Sequence, residues 1–250
     1  MPVSPSREGV ADVDLIWAGI KQAVRLLITA DQEIVGITWL SLRVSATATA
    51  ISLLLGIPSG TALALSRFPG RHLAISLINA GMGLPPVVVG LFVSILLFRS
   101  GPLGFLELLY TPTAIIIAQV IIAAPIVTGL TLAAMQQIPA QFPLQMLALG
   151  ASRVQLLWLL LCQARLPMLA AVMAGFGGVI SEIGASMMVG GNIRGQTRVL
   201  TTAMVMETGK GNFDGAIALA LLLLALTFGV NYLLTWIQQR GLTQQQWRTP

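Results

Sequence analysis

The stretch Thr113-Ala-Ile-Ile-Ile-Ala-Gln-Val-Ile-Ile-Ala-Ala-Pro-Ile-Val-Thr-Gly-Leu-Thr-Leu-Ala-Ala-Met135 decides the fold class. It is apolar from end to end, carries no charge, and is long enough for the roughly 20 residues that cross a bilayer as a helix. Four further spans read the same way, at about 34–64, 72–98, 166–189 and 215–237. In lipid, backbone N–H and C=O groups must be satisfied within the segment, so each span is expected to be helical. Gly83-Leu-Pro-Pro86 in the second span and Pro125 in the third are expected to kink or open their helices. Gly, Ala, Ser and Thr recur through the spans and permit close helix approach.

Composition supports the same class. Of 250 residues, 56% are hydrophobic and 9% charged, and the mean hydropathy is +0.85. A soluble domain has roughly 25% charged residues. The net charge of +5 reflects Lys and Arg at membrane edges. The arginines form no basic stripe interleaved with aromatics, which excludes a nucleic-acid partner. A single cysteine, Cys162, excludes an intrachain disulfide and reads as a small buried apolar residue. Acidic residues near the start, Glu8, Asp12 and Asp14, are unlike the basic start of a cleavable signal.

The chain divides into an N-terminal segment 1–33, a transmembrane domain 34–237 and a cytoplasmic tail 238–250. Within 10–29, Val13, Trp17, Ile20, Val24 and Leu27 share one face at helical spacing, and predict an amphipathic helix lying at the membrane surface. With the N-terminus outside, the inside segments 65–71, 136–165 and 238–250 hold Arg67, Arg71, Arg153, Arg165, Arg240 and Arg248 and no acid. No internal repeat is visible.

Residues 139–163 read as two helices meeting at a tight corner. Pro143 suits a first helical position, Gly150 the left-handed residue that ends a helix, and Ser152 with Gln155 has capping-box spacing. This predicts a helix over Pro143–Leu149, a turn at Gly150-Ala151 and a new helix from Ser152. It serves either as an ordinary helical hairpin or as a docking element for a partner.

The fourth span carries one acid, Glu182. An ionised carboxylate in lipid costs several kcal/mol, so it is expected to face protein or water. It can line a path, carry a proton, or bond neighbouring backbone or hydroxyls. An acid repels an oxyanion, so a gate or packing role fits better than an anion ligand. After it, Gly190-Gly191 breaks the helix, and Asn192 and Gly195 accept unusual backbone conformations. The loop either simply leaves the membrane, or forms a mouth in which Arg194 and Arg198 attract an anion or dock a partner. Arg43 reads as snorkelling from near a span end, with pairing to Glu182 the alternative. His72 is a lone interfacial residue without companion ligands, so no metal site is expected. Met187, Met188, Met204 and Met206 read as packing.

These residues carry a resemblance. Ser181-Glu-Ile-Gly-Ala185 followed by Gly191-Asn-Ile-X-Gly-X-Thr197 is similar to permeases for molybdate, tungstate and sulfate. Met187-Met-Val-Gly-Gly-Asn-Ile193, Thr197-Arg-Val-Leu-Thr-Thr-Ala203 and Lys210-Gly-Asn-Phe213 resemble the tungstate branch, and the likeness covers about 34–237. Leu149-Gly-Ala-Ser-Arg153 resembles the core of the coupling motif of ABC-importer permeases. It departs from that pattern, because Leu144-Gln-Met146 stands where Glu-Ala-Ala is usual and Gln163 where Pro is usual.

The resemblance implies a type I ABC importer permease of the prokaryotic plasma (inner) membrane. Two copies of this chain would form a pore, with two cytoplasmic ATP-binding subunits on Leu149, Gly150, Ala151, Ser152 and Arg153. A tungstate-binding protein outside would deliver the anion. Glu182, Gly191, Asn192, Gly195 and Thr197 are the pore or gate candidates. Arg194 and Arg198 are the anion-attracting or docking candidates. The chain has no Gly-x-x-x-x-Gly-Lys-Ser/Thr loop, so it is expected to be no enzyme and to bind no cofactor, with ATP and Mg used by the partner. The rivals are a molybdate or sulfate importer and a proton-coupled secondary transporter using Glu182, although such carriers commonly show repeats. An intramembrane enzyme would need more than Ser181 beside Glu182, which has no His or Asp partner in its span.

Overall fold

The computed structural model describes residues 17, 19–22 and 31–246, with side chains described to 239. Among these the chain is helical, in the order α1 (Gln32–Leu65), α2 (Arg71–Met82), α3 (Pro86–Leu97), a 3₁₀ turn (Gly104–Leu106), α4 (Pro112–Gln136), α5 (Gln141–Ala148), α6 (Arg153–Ile180), α7 (Gly184–Gly190), α8 (Leu200–Gly209) and α9 (Phe213–Gln246). Four helices are long and apolar enough to cross a membrane, or five if the bent pair α2–α3 counts as one span. The expected amphipathic helix over 10–29 falls largely outside the described residues.

The core is built on α1 and α4. On α1 the buried positions Ile37, Ser41, Val44, Ser45, Ala48, Thr49, Ser52, Gly56 and Gly60 follow helical spacing on one face. Val44 clusters with Ala114, Ile115, Ala118 and Ile122 of α4, Ala48 with Ala123, and Gly56 lies against Val127, while Ile37 packs with Leu200 and Leu219. Small residues let the backbones close in. A methyl carbon placed on Gly60 would lie 2.5 Å from the Thr128 carbonyl oxygen and 2.8 Å from Thr131 Cβ. Contact at that range rests on dispersion and shape, because lipid tails remove the hydrophobic drive between helices.

Several expected boundaries shift. The first span begins at Gln32, two residues early, because Asp31 caps it by accepting from Glu33 N at 2.8 Å. The second span breaks at Gly83-Leu84-Pro85 and bends by 100°. Proline cannot donate its N–H, and Pro86 starts α3 at the position where that donor is dispensable. Pro125, in contrast, leaves α4 continuous, its ring packed against Gly81 of α2. The fourth span is not 166–189. It starts at Arg153, runs straight out of the hinge through Pro167 to Ile180, and α7 is a separate piece. The expected tail continues α9 as helix to Gln246. Cys162 is half-buried rather than buried.

Candidate functional site

A loop over 191–199 joins α7 to α8. Gly191 ends α7 at φ 69° with the Tyr110 ring against it, leaving no room for a Cβ, and Asn192 and Gly195 also have positive φ of 51° and 73°. Glycine adopts this region at no steric cost, whereas Asn192 is held there by its surroundings. Thr197, fully buried, is the clamp: its hydroxyl donates to the Gly190 carbonyl and accepts from Ile193 N at 3.0 Å. Tyr110 N donates to the Val189 carbonyl at 2.8 Å, so the loop before α4 holds the same corner. Ser41 of α1 accepts from Leu200 N at 2.8 Å and fixes the start of α8.

This clamp presents two arginines to one carboxylate. Arg194 Nε donates to Glu33 Oε1 at 2.8 Å and its Nη2 reaches Oε2, while Arg198 Nη1 lies 3.3 Å from Oε1. Arg194 is largely exposed and Arg198 largely covered, at 72% and 14% side-chain exposure. The Glu33 carboxylate holds the Arg194 guanidinium even more firmly protonated than usual. Nearby, Lys210 and then Asn212 hold the Glu207 carboxyl below its ordinary range by hydrogen bonding.

Glu182 does not sit mid-helix. It lies in the break between α6 and α7, is 8% exposed, and its Oε1 accepts from Ala185 N at 2.8 Å. Its own carbonyl accepts from the Thr201 hydroxyl at 3.0 Å. Of the three expected roles, the geometry matches the acid bonded to neighbouring backbone. It makes no ion pair with Arg43, whose side chain is exposed. Glutamine at 182 keeps the acceptor for Ala185 N, so Glu182→Gln should transport within about twofold of wild type, whereas Glu182→Leu strands that donor at a cost of about 1–3 kcal/mol. Uptake and thermal unfolding of both variants check this. Failure of Glu182→Gln alone would instead point to a proton carrier.

The hinge lies at the opposite end of α6, whose 28 residues span about 42 Å. Gly150 has φ 86°, and Ala151 N donates to the Met146 carbonyl at 3.0 Å, closing α5. The Ser152 hydroxyl accepts from Gln155 N, and Gln155 Oε1 accepts from Ser152 N at 2.8 Å, which is the expected capping box. Pro143 is the third residue of α5, not the first, where its absent N–H is still unneeded. Leu149, Val154 and Trp158 stand 80%, 79% and 68% exposed around the corner. With Met146, Gly150 and Ala151 they line a groove of about 620 Å³. Arg153 opens α6 beside it.

The candidates therefore fall into two groups. Arg194, Arg198, Gly191, Asn192, Gly195 and Thr197 come together with Glu182 nearby, while Leu149–Arg153 form the distant hinge. Sequence reading missed Glu33, although an acid directly before an apolar span was a signal. It also missed the exposed apolar surface of Val154 and Trp158. Among the described residues no three His, Cys, Asp or Glu gather as metal ligands.

The chain is similar to known proteins in sequence and in fold. The family described as "Binding-protein-dependent transport system inner membrane component" matches residues 52–241. The chain is 39% identical over 227 residues to the tungstate uptake system permease protein TupB of Peptoclostridium acidaminophilum, covering 91% of this chain and 100% of that one. It is 43% identical over 205 residues to a probable anion ABC transporter permease protein of Haloferax volcanii, covering 80% and 88%. Its fold is similar to that of the inward-facing MetNI methionine ABC transporter, with TM-score 0.68 at 18% identity, covering 84% and 96%.

Proposed function

The chain belongs to the family of binding-protein-dependent transport system inner membrane components, and on that premise we propose that it is the permease subunit of an ATP-driven tungstate importer. It is a multi-pass component of the inner membrane, and a transport subunit rather than an enzyme. The family implies ATP-binding subunits and a substrate-binding protein as partners. The observation that carries the substrate is the likeness to a tungstate permease along the whole length of that relative.

Two copies would form the pore, and exposed apolar side chains such as Leu54, Phe92 and Phe228 would face lipid or the second copy. The hinge at Leu149–Arg153 would seat the ATP-binding subunit, which would use ATP and Mg while this chain holds no cofactor. The outer loop with Arg194 and Arg198 would receive the anion or its carrier. Labelled tungstate uptake at nanomolar concentration, in cells lacking the chain and in cells with it restored, tests the reading. Uptake that needs the chain and resists excess molybdate and sulfate is expected. Uptake abolished by either competitor would broaden the substrate, and no uptake of any of the three would remove the importer reading.

A further inference from the structure

We propose that Arg43, Arg194 and Arg198 form an external receiving site for a tetrahedral dianion, and that the Glu33 carboxylate is the resident occupant the anion displaces. The proposal rests on the anion-import reading and adds the site to it.

The three arginines share one cavity of about 470 Å³ with Glu33, Trp39 and Gln196. Among the described residues, three arginines and one carboxylate line it, and two of the arginines contact that carboxylate. With Glu33 displaced, the three positive charges exceed the two of a dianion. The acids Asp31 and Glu207 line the adjoining cavity instead, where they share Glu33 and Arg198. Glu207 spends its oxygens on Lys210 and Asn212. The cavity also has room for an oxyanion with part of its hydration shell, at about 30 Å³ per water.

Depth makes Arg43 the informative member. A helix rises 1.5 Å per residue, so Arg43 starts about 15 Å further along α1 than Glu33. It belongs to a helix apolar enough to cross a membrane, and it makes no ion pair among the described residues. An intramembrane cation costs several kcal/mol unless it faces water or an ion path. Helical side chains lean toward the helix N-terminus, which in α1 is the end that carries Glu33. Arg43 thus follows Glu33 along α1 and shares a cavity with the two loop arginines.

The occupancy by Glu33 is incomplete. One carboxylate serves both Arg194 and Arg198, and Oε1 is shared between them at 2.8 Å and 3.3 Å. Among the described residues, Arg198 Nε and Asn192 Oδ1 remain buried without a hydrogen-bond partner. A buried donor left unpaired is costly. A tetrahedral oxyanion offers four acceptor oxygens and two charges, and charge-assisted bonds to guanidinium are the strong ones. Displacing Glu33 also unties the start of α1 from the 191–199 loop, so anion arrival would loosen the outer mouth.

The test uses the complete complex with its ATP-binding subunits and binding protein in proteoliposomes. Arg43→Gln should lower labelled tungstate uptake by about tenfold or more, while ATP hydrolysis stimulated by the loaded binding protein is retained and Arg43→Lys recovers part of the uptake. In parallel, tungstate is titrated against the purified complex without binding protein, at constant ionic strength set with chloride. Fluorescence is read as the difference from Trp39→Phe, because Trp39 lines the cavity. A saturable signal is expected, weakened by Arg43→Gln and tightened by Glu33→Gln. Wild-type uptake by Arg43→Gln, joint loss of uptake and stimulated hydrolysis in an assembled complex, or no tungstate response at Trp39 would each overturn the site. If the wild type imports no oxyanion at all, the importer reading fails first, and the two failures are distinguishable.

Discussion

Replacing Leu149 by aspartate is expected to abolish ATP-driven uptake while leaving the permease folded. Leu149 is 80% exposed beside a groove shared with Val154 and Trp158. A carboxylate there costs little in the isolated chain: the side chain is exposed, and an acid at this helix C-terminus opposes the dipole by about 0.3–1 kcal/mol. In a desolvated contact with an ATP-binding subunit, the same carboxylate is an unpaired buried charge worth several kcal/mol. Binding of that subunit should weaken about 100-fold or more. Co-purification of the ATP-binding subunit, together with the unfolding midpoint of the permease, checks both halves. Wild-type co-purification and transport by Leu149→Asp would remove the hinge from the interface. Gly150→Trp is a coarser probe: a Cβ at 150 meets nothing within 4 Å, but φ 86° strains any other residue by about 1–2 kcal/mol.

The second large effect is expected at Gly60. Any side chain there runs into the α4 backbone at Thr128 and into Thr131. The obstruction is main chain, so no rotamer change relieves it, and Gly60→Val must push α1 and α4 apart along their buried faces. Overpacking of a close contact costs about 1–3 kcal/mol, which corresponds to a fall of about 2–12 °C in the unfolding midpoint for a chain of this size. Gly229→Val on α9, where a Cβ meets nothing within 4 Å, is the matched control and should leave the midpoint unchanged. Equal midpoints for both variants in detergent would mean that α1 and α4 are not packed as described.

Much of the architecture was legible because its causes are local. The charge-free run 113–135 marked a span without reference to any other residue, since the bilayer is the partner that selects it. The Ser152–Gln155 box and the left-handed Gly150 were readable for the same reason. Their hydrogen bonds close within five residues, so the spacing contains the geometry. The break at Pro85-Pro86 followed from a missing donor.

What misled the reading was also physical. Composition alone joined α6 to α7 as one apolar span, because the break at Glu182 is made by a side chain capping Ala185 N rather than by glycine or proline. The hinge and the fourth span were separated although α6 runs through both, since Pro167 does not end that helix. Arg194 and Arg198 were identified as a pair by their loop, but their partner lies 161 and 165 residues away.

The sequence by itself determined that this chain crosses a membrane as helices, turns at Gly150 and opens a glycine-rich loop after residue 190, because each of these follows from hydropathy or from bonds a few residues long. Only the tertiary structure decided that Glu33, Arg43, Arg194 and Arg198 meet in one cavity, that Glu182 caps a helix, and that Leu149 and Trp158 remain uncovered. Those contacts depend on how α1 packs against α4 and where that packing carries the outer loop, and no local propensity encodes a distance between residues so far apart in the chain.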